Sequence, residues 1–169
     1  MSQTFGQQLI GLLPNLRRFA LSLTRSAAAA DDLVQITCEK ALANASSYAD
    51  GTRLDAWLFR IMRNAWIDQL RKEKTAGLSV DVDALVNMPG DDGARQTESV
   101  LMLRATRAAI ADLPDEQREV LVLVCIEELS YQETSDVLRI PIGTVMSRIN
   151  AARKKLQADL DWDRLKDLG

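Results

Sequence analysis

Histidine is absent from the 169-residue sequence, and this absence removes a large part of enzyme chemistry. Neither a Ser-His-Asp or Cys-His catalytic centre nor a histidine-ligated metal can be built without it. The only cysteines, Cys38 and Cys125, are too few and too far apart for a CxxC motif or a disulfide framework, which favours a reducing cytoplasm. We therefore expect a cytoplasmic protein that is not an enzyme and has no metal site, cofactor or small-molecule substrate.

Long apolar runs are also missing. The longest strongly apolar run, residues 120–126, is far too short to span a bilayer. The first residues lack a basic segment followed by an apolar core, so no signal peptide is predicted. We expect no direct insertion into a membrane.

Signals for β-strands are scarce. β-branched residues cluster only at residues 120–126, and the segments that flank this run have a strongly helical composition. Hydrophobic residues make up 47% and charged residues 27% of the chain, which is an ordinary balance for a folded globular protein. The predicted fold class is all-α.

An acidic middle segment divides the chain. Residues 78–99 contain one basic and five acidic residues, whereas residues 1–77 contain ten basic and seven acidic residues. The middle segment is also rich in glycine and lacks a sustained helical period, although residues 82–86 could form a brief ordered turn. We predict two small helical domains, residues 1–76 and 99–169, joined by a flexible linker over residues 77–98.

The first domain is predicted to begin with two helices. Apolar spacing indicates one helix over residues 9–23, with Pro14 as an awkward interior residue. Ser26 is a suitable N-cap for a second helix that runs through about residue 43. On that second helix, a polar strip faces away from the apolar residues and contains Asp32, Gln35 and Glu39.

A long helix is predicted over residues 53–73, after a polar loop at residues 44–52 that contains Tyr48. Its apolar stripe, which should face the core, consists of Leu54, Trp57, Leu58, Ile61, Met62 and Ala65. Another sector of the helix is basic, with an amide among the arginines, and consists of Arg60, Arg63, Asn64, Ile67 and Arg71. Trp57 and Trp66 are expected to be core residues rather than platforms on which bases stack.

The second domain is predicted to begin with a helix near residues 99–113, which Pro114 ends. The following sequence, REVLVLVCIEEL, is apolar on nearly all sides and should form the buried centre of the domain. Cys125 lies inside it and is expected to be a small buried hydrophobic residue. We expect the same of Cys38, with a redox or metal-binding role left open.

A helix-turn-helix is predicted at the end of the chain. Ser130 and Glu133 match a capping box that opens a short helix, and the tight turn RIPIG leads into a last helix over about residues 143–160. The core stripe of this last helix consists of Val145, Ile149, Ala152 and Leu156. The residues that face away or lie on the flank are Thr144, Ser147, Arg148, Asn150, Ala151, Lys154 and Lys155. Small polar side chains beside cations suit the reading of base edges while phosphates are held.

Three segments together resemble a known family. They are DDLVQITCEKAL, RLDAWLFRIMRNAWIDQLRK and LPDEQREVLVLVCIEELSYQETSDVLRIPIGTVMSRINAARKKL. These motifs, in this order and with a short linker, are similar to the extracytoplasmic-function sigma factors, which are specificity subunits of bacterial RNA polymerase. The resemblance covers roughly residues 9–75 and 100–160.

The resemblance implies two helical domains, sigma regions 2 and 4, and a role for three sets of residues. Core RNA polymerase would contact Asp31, Asp32, Gln35 and Glu39. The −10 element of promoter DNA would be opened and read by the loop at residues 44–52 together with Tyr48, Arg60, Arg63, Asn64, Ile67 and Arg71. The −35 element would be read by Thr144, Met146, Ser147, Arg148, Asn150, Ala151 and Lys154. An anti-sigma factor that holds the chain inactive is also implied.

Three positions depart from the family pattern. Relatives often have a lysine or arginine at the position of Met146 and a larger residue at that of Asn150. They often have glycine or a short polar residue where Arg139 stands, and arginine is a poor choice there if the turn needs a positive φ. These departures leave the preferred −35 sequence open.

Three other functions compete with that of a transcription initiation factor. The chain could be a sigma-like adaptor or decoy that sequesters an anti-sigma factor without starting transcription. It could be a helix-turn-helix repressor, although no dimerisation helix is evident. A metal-dependent enzyme that uses carboxylates alone is the most remote, since no acidic cluster has ligand spacing.

Overall fold

A computed structural model describes residues 4–77 and 97–160, and within these ranges the chain forms α-helices and no strand. The predicted all-α class is confirmed. The predicted turn at residues 82–86 and most of the predicted linker lie outside the described residues. The helices are α1 (Phe5–Gly11), α2 (Leu13–Thr24), α3 (Ala27–Ala43), α4 (Leu54–Thr75), α5 (Glu98–Ala111), α6 (Asp115–Leu121), α7 (Tyr131–Leu138) and α8 (Ile142–Asp159).

The single helix predicted over residues 9–23 is wrong, because two helices occupy this segment. Helix α1 ends at Gly11, and Leu12 serves both as its C-cap and as the N-cap of α2. Pro14 lies in the first turn of α2, where its missing N–H costs no helical hydrogen bond. The proline that was awkward inside one helix is thus well placed at the start of another.

The N-terminal helices bury one aromatic and aliphatic core. Phe19 of α2 and Phe59 of α4 are fully buried and meet edge to face, with ring centroids 5.2 Å apart. Leu33 of α3 closes the core from the third side. Ser26 caps α3 as predicted, since its side chain accepts a hydrogen bond from the N–H of Ala29.

The C-terminal helices form the predicted helix-turn-helix. Both bonds of the capping box are present, because Ser130 N–H donates to Glu133 at 2.9 Å and Glu133 N–H donates to Ser130 Oγ at 3.0 Å. Val145 and Ile149 of α8 are buried as predicted. Helix α5 begins at Glu98, and the side chain of Thr97 caps it by accepting a hydrogen bond from the N–H of Val100.

Cys125 is exposed, so the expectation that it is buried is wrong. A π-helical turn over Val122–Ile126 follows α6, and Glu127 donates its N–H to the carbonyl of Val122. Leu123 of this turn is fully buried. A residue two positions later points to the opposite side of a helix, which places Cys125 in solvent. The apolar segment is therefore buried over residues 120–123 and exposed at its end, at Cys125 and Ile126. Cys38 is half-buried, and burial raises the pKa of its thiol.

The two halves of the chain also pack against each other. Helix α4 of the N-terminal half lies against α7, and α2 lies against α6 and the π-helical turn. Leu16, Leu58 and Met62 belong to the same continuous buried cluster as Leu123 and Val137. The sequence analysis predicted two domains but did not predict this contact between them.

Arg139 occupies the turn of the helix-turn-helix in a left-handed conformation, with φ 55° and ψ 47°. A side chain with a Cβ is strained there by about 1 kcal/mol or more, and the Arg139 side chain is exposed. We expect Arg139→Gly to raise the free energy of unfolding by about 1 kcal/mol, because glycine adopts this conformation freely. Urea denaturation followed by circular dichroism measures the change.

Arg153 provides the matched control for this substitution. It is exposed within α8, where glycine is unfavourable. Arg153→Gly should lower the free energy of unfolding by about 1 kcal/mol, the opposite sign. Equal losses for both variants would show that the backbone at Arg139 is not strained.

Candidate nucleic-acid interface

The polar strip on α3 is exposed along its whole length. Its four residues, Asp31, Asp32, Gln35 and Glu39, all face solvent. Asp31 pairs with Arg17 of α2 at 3.3 Å, and Gln35 donates to Glu39 at 3.4 Å along the helix. Both of these bonds lie within the N-terminal half. A partner can therefore contact the carboxylates of the strip without disturbing the C-terminal half.

The basic sector of α4 is divided between solvent and the interior. Arg60 and Arg71 are exposed, whereas Arg63, Asn64 and Ile67 are half-buried. The sector was predicted as one continuous basic face. The structure instead places its centre at the contact with the C-terminal half and leaves its two ends free.

Tyr48 belongs to an aromatic cluster next to this sector. Its ring centroid lies 6.1 Å from that of Phe5 and 5.4 Å from that of Trp57. Its hydroxyl donates to the carbonyl of Thr52, which fixes the loop that precedes α4. The half-buried Trp57 packs against the core as expected. Phe5, which the sequence pattern did not single out, completes the cluster.

The outer face of α8 is the other candidate DNA surface. Met146, Ser147, Asn150 and Lys154 are exposed, whereas Thr144, Arg148 and Ala151 are half-buried on its border. Ser147 Oγ donates to the carbonyl of Thr144, and the guanidinium of Arg148 lies 3.6 Å from the carboxylate of Glu116. A helix with short polar side chains and a cation at its edge can enter a major groove.

A bidentate ion pair joins the two halves at the centre of the α4 sector. Arg63 donates to Glu119 of α6 through Nε at 3.1 Å and through Nη2 at 3.2 Å. Its remaining nitrogen, Nη1, donates to the carbonyl of Leu138 at the end of α7. Burial raises the pKa of Glu119, and the Arg63 guanidinium opposes that shift by stabilising the charged form.

A second carboxylate, Glu127, is fully buried between the halves. Its side chain is 0% exposed. It accepts two hydrogen bonds from Arg18, through Nε at 2.9 Å and Nη2 at 3.3 Å, and one from Asn15 at 2.8 Å, and both residues lie on α2. Three donors from the other half of the chain therefore compensate a charge that burial would otherwise make very costly.

Arg53, the N-cap residue of α4, binds the loop between the π-helical turn and α7. It donates to the carbonyls of Glu127 and Glu128, each at 3.0 Å, and to the carboxylate of Glu133 at 3.3 Å. Its hydrogen bond to Asp55 raises the pKa of the guanidinium, and the Ser130 N–H lowers the pKa of Glu133. Arg53 therefore stays charged and ties the capping box of one half to a helix start of the other.

Two further properties of the described residues bear on function. Across residues 4–77 and 97–160, no three histidine, cysteine, aspartate or glutamate side chains are grouped so that they could bind a metal ion. No helix in those ranges is both long enough and apolar enough to cross a membrane.

Two protein families match the chain, one over each half. The family described as Sigma-70 region 2 matches residues 11–75, and the family described as Sigma-70, region 4 matches residues 103–156. The first match contains α2, α3 and α4. The second match contains most of α5, all of α6 and α7, and most of α8. Each candidate surface described above lies within one of the two matched segments.

Individual relatives match both halves together. The chain is 37% identical to the ECF RNA polymerase sigma factor EcfG of Rhodopseudomonas palustris, over 100% of this chain and 92% of that protein. It resembles the sigma factor RpoE from Bartonella quintana, solved with the anti-sigma factor NepR, with 34% identity and a TM-score of 0.76 over 93% of this chain and 96% of that one. It also resembles CnrH, solved with the cytosolic domain of CnrY, with 28% identity and a TM-score of 0.63 over 94% and 88% of the two chains.

A third solved structure shares the fold alone. It is the anti-anti-sigma factor PhyR from Bartonella quintana, solved with NepR, at 16% identity and a TM-score of 0.56. The alignment covers 93% of this chain but only 51% of PhyR.

Proposed function

The chain belongs to the extracytoplasmic-function sigma factors, and from that membership we propose that it binds core RNA polymerase and directs it to specific promoters. Members of this family regulate transcription rather than catalyse a reaction. Promoter binding would take place in the cytoplasm, where bacterial DNA lies. The single observation that carries the proposal is that both sigma regions are present in one chain, each with an exposed polar surface on its own helix.

We propose the following division of labour. The domain over residues 1–76 would bind polymerase through the α3 strip, Asp31, Asp32, Gln35 and Glu39. It would open and read the −10 element with Tyr48, Arg60, Arg63, Asn64, Ile67 and Arg71. The domain over residues 99–169 would read the −35 element with Thr144, Met146, Ser147, Arg148, Asn150, Ala151 and Lys154. Two exposed surfaces on different helices, one acidic and one with cations beside short polar groups, support this assignment.

Charge reversal on the α3 strip tests the polymerase contact. We expect the double variant Asp32→Lys, Glu39→Lys to lose most of its binding to core polymerase, because two attractive carboxylates become repulsive cations. Both side chains are exposed, so the free energy of unfolding should move by no more than about 0.5 kcal/mol. Co-purification with core polymerase measures binding, and circular dichroism verifies folding.

The matched control is Asp68→Lys, Asp136→Lys, which changes the net charge by the same amount. Both residues are exposed, one on α4 and one on α7, and neither lies on the strip. This control should bind polymerase as the unmodified chain does. If a folded Asp32/Glu39 variant also co-purified undiminished, the strip would not be the polymerase contact.

We further propose that an anti-sigma factor holds the chain inactive. Two proteins of similar structure were each solved with a polypeptide partner. RpoE was solved with the anti-sigma factor NepR, and CnrH was solved with the cytosolic domain of CnrY. We expect an equimolar complex that yields no run-off transcript from core polymerase. A sigma-like adaptor would give no transcript even without the inhibitor, so the same assay separates the two roles.

A further inference from the structure

Helix α1 is short and is docked on the N-terminal half by one face. Its start is fixed by a capping box, in which Thr4 N–H donates to the Gln7 side chain at 3.0 Å and Gln7 N–H donates to Thr4 Oγ1 at 3.3 Å. Leu9 is buried in the core, whereas Ile10 is 66% exposed. A helix of seven residues is too short to be stable by itself in water, so its position depends on what its inward side chains contact.

Phe5, the first residue of α1, contacts the aromatic cluster. Its ring centroid lies 6.1 Å from that of Tyr48, with an interplanar angle of 50°, and 6.0 Å from that of Trp57, with an angle of 78°. Tyr48 and Trp57 also contact each other, so each of the three rings touches the other two. Tilted and edge-to-face rings at such distances attract each other beyond the effect of burial alone. Phe5 therefore restricts how the Tyr48 ring can be oriented.

Most residues of the loop at residues 44–52 are exposed, whereas Tyr48 is half-buried. Two hydrogen bonds run within the loop, from the Tyr48 hydroxyl to the carbonyl of Thr52 and from Thr52 Oγ1 to the carbonyl of Ala49. These bonds set the internal shape of the loop. The packing of the Tyr48 ring against the other two rings sets where that shape lies on the domain.

We propose that Phe5 is a positioning residue for promoter opening, which holds Tyr48, and with it the loop at residues 44–52, in the conformation that receives an unpaired base of the −10 element. The proposal rests on the proposed role of this loop at the −10 element. It goes beyond that role because it assigns a part in promoter opening to a residue that lies before the segment matching Sigma-70 region 2. A group that is already in place gives up less conformational freedom when its ligand binds, so loss of Phe5 weakens base capture without removing a base contact.

Fluorine NMR measures whether Phe5 holds Tyr48. The sequence contains two tyrosines, Tyr48 and Tyr131, so the chain labelled with 3-fluorotyrosine gives two signals, which Tyr131→Phe assigns. In Phe5→Ala the Tyr48 signal should shift, and the signal of Tyr131 on α7 should stay where it is. The matched control is Ile10→Ala on the same helix, an exposed position at which neither signal should move.

Base capture is measured with the holoenzyme formed from the full chain and core polymerase. The probe is a single-stranded oligonucleotide with the non-template −10 sequence of a promoter that gives run-off transcripts, and it carries 2-aminopurine at each position in turn. The fluorescence of 2-aminopurine changes when the base leaves the stack of its neighbours. We expect Phe5→Ala to bind the probe about fivefold more weakly than Ile10→Ala and to reduce the fluorescence change at the captured base. Phe5→Tyr, which keeps the ring, should retain both.

A variant that only destabilises the domain separates positioning from a general loss of stability. Leu21→Ala removes part of a half-buried side chain that packs against the core from α2. It should lower the free energy of unfolding and leave the probe affinity and the Tyr48 signal as they are. Phe5→Ala should also co-purify with core polymerase undiminished, because the α3 strip is unchanged.

An unmoved Tyr48 signal in Phe5→Ala, or a moved signal with the probe affinity of Ile10→Ala, would overturn the positioning role. Loss of core polymerase by Phe5→Ala would overturn it as well, since α1 would then belong to the polymerase contact. Failure of the proposed function gives a different result. The unmodified chain would then yield no run-off transcript, or Tyr48→Ala would bind the probe as tightly as the unmodified chain does, and the inference would be overturned with it.

Discussion

Replacing Arg118 with methionine should lower the free energy of unfolding by about 3 kcal/mol. The Arg118 side chain is 3% exposed and lies where the two halves meet. It donates to the carbonyls of Ser22 and Leu113, each at 2.8 Å, to that of Ala111 at 3.2 Å, and to the carboxylate of Asp115. These carbonyls belong to the ends of α2 and α5, where no further helical turn can bond them. Methionine fills the space but removes the Arg118 donor from the carbonyls of Ser22 and Leu113, whereas the carbonyl of Ala111 still accepts from Arg25 at 2.7 Å.

Arg107→Met is the matched control for this loss. Arg107 is exposed on α5, so the same chemical change there should shift the free energy of unfolding by no more than about 0.5 kcal/mol. Urea denaturation of both variants gives the comparison. A loss below about 1 kcal/mol for Arg118→Met would mean that water satisfies the carbonyls and that Arg118 does not hold these helix ends.

Alanine at both Arg63 and Asn64 should reduce transcription from a closed duplex promoter by about tenfold to a hundredfold. Opening a duplex breaks stacking of roughly 1.4 kcal/mol per base-pair step. Each unpaired base that the protein holds returns about 1–3 kcal/mol. Side chains that hold such bases are needed only while the duplex must be opened. A template already mismatched over the −10 region should therefore restore much of the activity, as run-off transcription would show.

The last helix provides the contrast. Alanine at Ser147, Arg148 and Asn150 should reduce transcription equally from both templates, because the −35 duplex is the same in each. Met146→Arg should change the preferred −35 sequence and leave opening unaffected, since a guanidinium reads guanine in the major groove. Rescue of the α8 variant by the mismatched template, to the same degree as the Arg63/Asn64 variant, would contradict the proposed division of labour.

Features set by neighbouring residues could be predicted from the sequence. The caps at Ser26 and Ser130 depend on a bond to a residue three positions later. The buried stripe of α8, with Val145 and Ile149, follows from helical spacing alone. The family pattern pointed to Arg139 as a position where a positive φ would disfavour arginine, and the structure shows that φ there is positive. In each case the cause lies within one or two helical turns.

Features set by docking could not be predicted. Arg63 and Glu119 are 56 positions apart, and their pairing depends on how α4 and α6 meet. Helical projection placed Arg63 correctly on a basic sector but could not tell whether solvent or a carboxylate faces that sector. A signal did exist in Glu127, a charged residue directly after an apolar run, because a charge that becomes buried needs partners from elsewhere. Cys125 was misassigned for the related reason that burial depends on what covers a helix.

The buried carboxylates between the halves also restrict how such proteins can diversify. A helix-turn-helix domain is often treated as a module that can be exchanged between relatives to give a new specificity. Here a C-terminal half from a relative would need acceptors that match Arg18 and Arg63 of its new neighbour. A reversal of charge at Glu119 or Glu127 would be tolerated only with a compensating change in the other half. The interface charges of the two domains must therefore change together during evolution. Hybrid chains whose interface charges do not match should fail to pack their two halves.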